Sequence, residues 1–162
     1  MVLPVLALLA TSAVAGCGGG QKAGTARSTT NGPASGLHAF AQTYLRIVAP
    51  ANAAHEELIR KSNAYGATTT KAQVVADLAP VLRAYRTADE GLLRVAWPGP
   101  VGAAVTTEVA ANGALLAVLG TADRQNAGTF DAWAAQVSQD EVKATAAANA
   151  VRAGLGLRAY KP

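Results

Sequence analysis

Apolar residues recur at steps of three and four along most of this chain, and glycine, proline and small polar residues interrupt the pattern. Four segments show it, at about 37–64, 68–95, 100–122 and 129–154. This spacing gathers apolar side chains on one face of a helix. Of the 162 residues, 39 are alanine, which has the best intrinsic helix propensity. Runs of β-branched residues are absent. The chain is therefore predicted to be all-α.

Short connections between the segments favour helices that lie antiparallel to their neighbours, so the predicted architecture is an up-and-down four-helix bundle over residues 37–157. The connections contain Gly66, the turn at 97–100 and Gly128. Pro50 and Pro80 lie inside the first two segments, where proline removes a backbone donor, so a kink or a break is expected at each. Residues 158–162 are predicted to be a tail.

The first seventeen residues have the pattern of an export signal. Residues 2–10 are apolar, and small residues follow before Cys17, the chain's only cysteine. The apolar run is shorter than the roughly 20 residues that a membrane-spanning helix needs, so residues 1–16 are predicted to be a cleaved signal peptide. Residues 18–36 are rich in glycine, serine and threonine, which predicts a flexible, disordered linker.

Val14, Ala15, Gly16 and Cys17 resemble the lipobox of bacterial lipoproteins, which is an aliphatic residue, two small residues and a cysteine. The resemblance implies cleavage between Gly16 and Cys17 and lipidation of Cys17. Two or three acyl chains anchor a protein stably, whereas one does so only marginally. The implied location is the extracytoplasmic face of the cell membrane. Residues 17–36 would then be the lipidated cysteine and its linker.

Three further stretches resemble Ala-rich lipoproteins predicted in actinobacteria, a group without an assigned activity. They are residues 44–52, the Trp97-Pro98 turn and residues 151–157. The resemblance implies a helical domain and offers no catalytic residues.

The residues that could support catalysis do not form a known motif. His55-Glu56-Glu57 begins like the helical zinc-protease motif, but Ile59 stands where the second histidine is required. Neither His38 nor His55 has a glutamate three residues before it, as a di-iron bundle would need. No phosphate loop or nucleophile elbow occurs. The expectation is no enzyme, no metal site and no cofactor.

The remaining polar and aromatic residues are interpreted structurally. His38 and His55 are expected to be solvated or to cap helices, and Asp89 and Glu90 to lie on an exposed helix face. Trp97 and Trp133 are expected to plug the core or a helix end. The net charge of +4 comes from scattered basic residues, so nucleic acid is not an expected partner.

These observations predict a lipid-anchored, extracytoplasmic binding protein of the bacterial cell envelope. The expected partner is another envelope protein, or a small apolar molecule in a gap held open by kinks at Pro50 and Pro80. One alternative is a lipid carrier with a pocket in the bundle. Another is an envelope hydrolase with dispersed active-site residues, which would bring His38 or His55 against an acid in a concave site.

Overall fold

The protein is a four-helix bundle. The computed structural model describes residues 33–160, with side chains from residue 36, and this part of the chain contains no β-strand. The prediction of an all-α four-helix fold is confirmed. The helices are α1 (Pro33–Ser62), α2 (Lys71–Leu93), α3 (Gly99–Leu119) and α4 (Phe130–Gly154), with a short 3₁₀ helix, Ala122–Arg124, between the last two.

The bundle consists of two closely packed helix pairs. α1 packs on α2 and α3 packs on α4, whereas α2 and α3 share a smaller contact. Small residues permit the close approaches: a Cβ on Gly91 of α2 would lie 3.0 Å from Cγ2 of Ile47, and one on Gly154 would lie 3.2 Å from Cγ2 of Val101. The two pairs therefore face each other with room between them.

The core is divided into two clusters along the bundle. The first cluster surrounds Tyr44 near the start of α1 and contains Ala41, Tyr44, Val48, Leu92, Val101, Val105, Val151 and Leu155. The second cluster surrounds Leu58 near the end of α1 and contains Leu58, Val74, Leu78, Val81 and Ala122. All four helices contribute buried side chains to the first cluster. The buried polar residues His55, Asp89, Glu108 and Asn112 belong to neither cluster, and neither do buried apolar residues such as Ala51 and Leu115.

The helix boundaries depart from the sequence prediction chiefly at the start of α1. The helix begins at Pro33, four residues before the predicted start, so part of the predicted linker is helical. Proline is well tolerated in a first helical turn. α1 runs through Pro50 and α2 through Pro80 without a break. The bends expected at these two residues stay predictions.

Thr70 caps the start of α2, because its hydroxyl accepts a 3.2 Å hydrogen bond from the backbone N–H of Gln73. Thr129 precedes α4 but makes no such bond. Its hydroxyl accepts instead from the backbone N–H of Asn126, at 3.1 Å, within the preceding turn. α4 therefore begins without a side-chain cap from Thr129.

The stretch Gly99–Arg124, which contains α3, is long and apolar enough to cross a membrane. It is the one such stretch in the described residues. Helices in the cores of bundles satisfy the same criteria of length and composition. Here the helix packs closely along α4, and its buried side chains include Glu108 and Asn112.

Candidate functional site

A partly enclosed cavity of about 120 Å³ lies between the two helix pairs. Its lining reaches from Tyr44 to Leu58 on α1, which at 1.5 Å per residue is about 21 Å along the bundle. Because this length is large for so small a volume, the cavity is narrow. Apolar side chains from all four helices form most of its wall, among them Val48, Val81, Leu115 and Val137.

Glu108 is the most deeply buried charged group on the cavity wall, with 4 % of its surface exposed. The Tyr44 hydroxyl donates a 2.9 Å hydrogen bond to its Oε1. Oε2 is buried and has no hydrogen-bond partner among the described residues. Burial raises the pKa of Glu108 to about 7, and the nearby charge of Asp89 adds to this, whereas the Tyr44 hydrogen bond lowers it.

Asp89 and Asn112 form a second buried polar contact beside Glu108. The side-chain amide of Asn112, which lines the cavity, donates a 2.8 Å hydrogen bond to Oδ1 of Asp89. Burial raises the pKa of Asp89 to about 6 despite this hydrogen bond. Asp89 was expected on an exposed face, and that prediction was wrong: the side chain faces α3, whereas Glu90 is exposed and pairs with Arg94.

His55 and Glu141 join α1 to α4 farther along the cavity. Nε2 of His55 lies 3.2 Å from Oε1 of Glu141, and a carboxylate can only accept, so Nε2 carries the hydrogen. Nδ1 is buried and has no partner among the described residues. The Tyr85 ring meets the imidazole edge-on, with centroids 6.5 Å apart. His55 is 8 % exposed, so the prediction that it is solvated was wrong.

The C-terminal residues fold back onto α4 and complete the cavity wall. Gly156 has a φ of +70°, and the Leu157 N–H donates to the carbonyl of Arg152, as in a Schellman turn. The Asn149 side chain then makes two hydrogen bonds to the backbone of Tyr160. Its Oδ1 accepts from the Tyr160 N–H at 2.6 Å, and its Nδ2 donates to the Tyr160 carbonyl. The predicted tail is thus held against α4 as far as Tyr160. Tyr160 lines the cavity, and its buried hydroxyl has no partner within the described part of the chain.

The two tryptophans pack as expected. Trp97 packs against Tyr44 and the first cluster and donates a 2.7 Å hydrogen bond to the Leu92 carbonyl. Trp133 packs against the second cluster and donates to the Val118 carbonyl at 2.9 Å. Trp133 also lines the cavity, so one of the two contributes to the candidate site.

Several residues singled out in the sequence do not line this cavity. His38 is exposed. Pro50 and Pro80 line a shallow groove between α1 and α2 and do not line the cavity. The cavity therefore does not lie beside these two prolines, where a gap was expected. Gly16 and Cys17 lie outside the described residues. No group of three or more histidine, cysteine and acidic side chains that could hold a metal occurs in residues 33–160.

Sequence reasoning missed Glu108, Asn112, Glu141 and Tyr160. For Glu108 a signal was present: it is the one charged residue in α3, and it lies three residues after Val105 and seven before Leu115, on the apolar stripe. A lone acid on such a stripe indicates a buried carboxyl that requires a partner. Tyr160 gave no comparable signal.

Comparisons with known proteins add no family to this description: the chain matches no protein-family model, no curated protein and no solved structure.

Proposed function

We propose that this protein is a lipid-anchored binding protein of the bacterial cell envelope that takes a small, elongated, mainly apolar molecule into its central cavity. The observation that supports the proposal is the cavity wall. It is largely apolar, yet three of its residues have a buried polar atom with no partner among the described residues, namely Nδ1 of His55, Oε2 of Glu108 and the hydroxyl of Tyr160. Burying a polar group without a hydrogen bond costs free energy, and a bound molecule would offset that cost.

The size and shape of the cavity limit the range of ligands that it can hold. A cavity of 150 Å³ lined by apolar side chains is enough to bind benzene, so about 120 Å³ suits a molecule of about six non-hydrogen atoms. The narrowness favours an unbranched chain over a fused ring. A lipid carrier would need a cavity closer to the several hundred cubic ångströms that larger ligands occupy, so a compact ligand is preferred here to a whole lipid.

A small molecule is also preferred to a protein partner. The large apolar side chains that are exposed in the described residues are Leu37 on α1, Leu93 on α2 and Val142 on α4. They lie on three different helices, and single exposed apolar residues are ordinary on protein surfaces.

Binding is tested with 1-pentanol and n-hexane, which have six non-hydrogen atoms each, on the full chain in nanodiscs. We expect both to raise the midpoint of thermal unfolding. Ala148→Leu, which adds volume at the cavity wall, should abolish the rise. Ala146→Leu is the matched control, because Ala146 is exposed on the same helix. Absence of binding in the wild type would mean a water-filled cavity and would refute the proposal.

The membrane anchor is tested separately, since Cys17 lies outside the described residues. Cells that express the full chain are labelled with a radioactive or clickable acyl donor. The wild type and a Gly19→Ala control should carry the label, and Cys17→Ala should not. Equal labelling of all three would exclude lipidation at Cys17.

The His55–Glu141 contact supports a second candidate, an envelope hydrolase, because it brings a histidine and an acid together at the cavity. A hydrolase of this kind would also need a hydroxyl or water at Nδ1 of His55. Ser138 and Thr145 line the cavity, but Nδ1 has no partner in the described residues. Turnover of short p-nitrophenyl esters that is lost in His55→Gln and kept in His38→Gln would favour hydrolysis over binding.

A further inference from the structure

We propose that the ligand of the central cavity is a primary alkylamine whose ammonium group binds against Oε2 of Glu108. This inference rests on the proposed binding function and names the chemical class of the ligand. Glu108 lines the cavity and is 4 % exposed. Its Oε1 is occupied by the Tyr44 hydroxyl, and its buried Oε2 has no partner among the described residues.

Two of the three unpartnered atoms, Oε2 of Glu108 and Nδ1 of His55, match a donor better than an acceptor, whereas the Tyr160 hydroxyl can pair with either. An ionised carboxylate only accepts hydrogen bonds. Nδ1 of His55 presents a lone pair while the ring is neutral, because the hydrogen is on Nε2, facing Glu141. A ligand with N–H groups satisfies such atoms, whereas a carboxylate ligand would bring like charges together.

The surrounding charges favour a cation at Glu108. Tyr44 of α1 donates its hydroxyl hydrogen to Glu108, and Asp89 of α2 lies close enough for its charge to raise the pKa of Glu108. The positive charge of Arg152 on α4 lowers the pKa of Glu108, but this effect is the smallest of those that act on that pKa. The Nε of Arg152 is occupied by the carbonyl of Arg158, at 2.6 Å.

An ammonium group in this place would not be left unpaired. It has three donors. Oε2 of Glu108 would take one, and the side-chain oxygens of Asn112 and Tyr44 line the same cavity as further acceptors. Burial of an ion is tolerated when it is paired and hydrogen-bonded. The alkyl part would lie along the apolar wall, where burial of its surface favours binding.

Four probes of nearly equal size separate charge from shape: n-pentylamine, 1-pentanol, n-hexane and pentanoate. Their affinities are measured by titration calorimetry on the full chain in nanodiscs at pH 8, with empty nanodiscs subtracted. We expect n-pentylamine to bind at least about tenfold more tightly than 1-pentanol, since a hydrogen bond between two charged groups is stronger than one from a neutral hydroxyl. Pentanoate should bind most weakly.

Glu108→Gln tests the assigned group, and Glu90→Gln is the matched control because Glu90 is exposed and pairs with Arg94. Glu108→Gln should remove the preference for the amine over 1-pentanol, whereas Glu90→Gln should retain it. Equal affinities for amine and alcohol in the wild type, or an amine preference that survives Glu108→Gln, would overturn the inference and leave the binding function standing. If none of the four probes binds, the proposed function itself fails.

Discussion

The Tyr44 hydroxyl and Glu108 meet at 2.9 Å across 64 residues of sequence, and the contact joins α1 to α3 beside the first cluster. Both residues are almost fully buried. Burial raises the pKa of Tyr44 above its usual range, and the adjacent Glu108 reinforces the shift, so the phenol remains a hydrogen-bond donor. The contact therefore fixes the orientation of the most deeply buried carboxyl on the cavity wall.

Tyr44→Phe should destabilise the fold by about 1–3 kcal/mol, because it leaves Oε1 of Glu108 buried without its donor. Urea unfolding followed by circular dichroism measures the change. Tyr65→Phe is the control, since Tyr65 also donates to an acid, Asp77, but from a partly exposed position. A loss in Tyr44→Phe no larger than that in Tyr65→Phe would contradict the burial argument.

Stability should fall as the pH rises from about 4.5 to about 7. The unfolded chain releases the Glu108 proton near the ordinary pKa of 4.5, whereas the folded protein holds it up to a pKa of about 7. In that window the folded state binds more protons, so its free energy of unfolding decreases with pH. The expected loss from this group is about 3 kcal/mol.

Glu108→Gln isolates this contribution. The variant should unfold with a flatter pH profile between pH 4.5 and 7 and should match or exceed the wild type in stability at pH 8. Glu90→Gln should retain the wild-type slope. Parallel profiles for the wild type and Glu108→Gln would show that Glu108 does not hold its proton as proposed.

Two glycine substitutions should differ in their effect on stability. Gly113→Ala on α3 places a Cβ in open space and should stabilise the fold by about 0.5–1 kcal/mol through helix propensity. Gly91→Ala on α2 places a Cβ 3.0 Å from Cγ2 of Ile47, so crowding between α1 and α2 should cancel that gain. Chemical unfolding of both variants tests the close approach of these helices, and equal gains would refute it.

Asn149→Ala should release the C-terminal residues from α4. Asn149 makes both hydrogen bonds that hold the backbone of Tyr160, so the amide of Tyr160 should exchange with deuterium faster in the variant. Global stability should change little, because the affected segment lies after the last helix. Asn63→Ala, at an exposed position, is the control. Unchanged exchange at Tyr160 would mean that other contacts hold the tail.

Periodicity was sufficient to predict the four helices but not the contents of the cavity. His55 lies on the same stripe of α1 as Ala51 and Leu58, at steps of four and three, and is buried with them. Asp89 is likewise buried between Ala88 and Leu92 on α2. Interpretation by residue type assigned both to the surface, whereas their positions on the stripe indicated burial.

The partners of these residues were beyond prediction because they come from distant parts of the chain. Glu141 is 86 residues from His55, and periodicity within one helix does not say which residues of another helix will oppose it. Tyr160 reaches the cavity only because the turn at Gly156 reverses the chain. Long-range pairing of this kind depends on how the helix pairs are aligned, which a single sequence does not encode locally.

The division of the core into two clusters has a consequence for how mutations combine. The clusters share no buried residue, so a cavity created in one does not remove packing contacts within the other. Substitutions in different clusters should therefore have additive effects on stability.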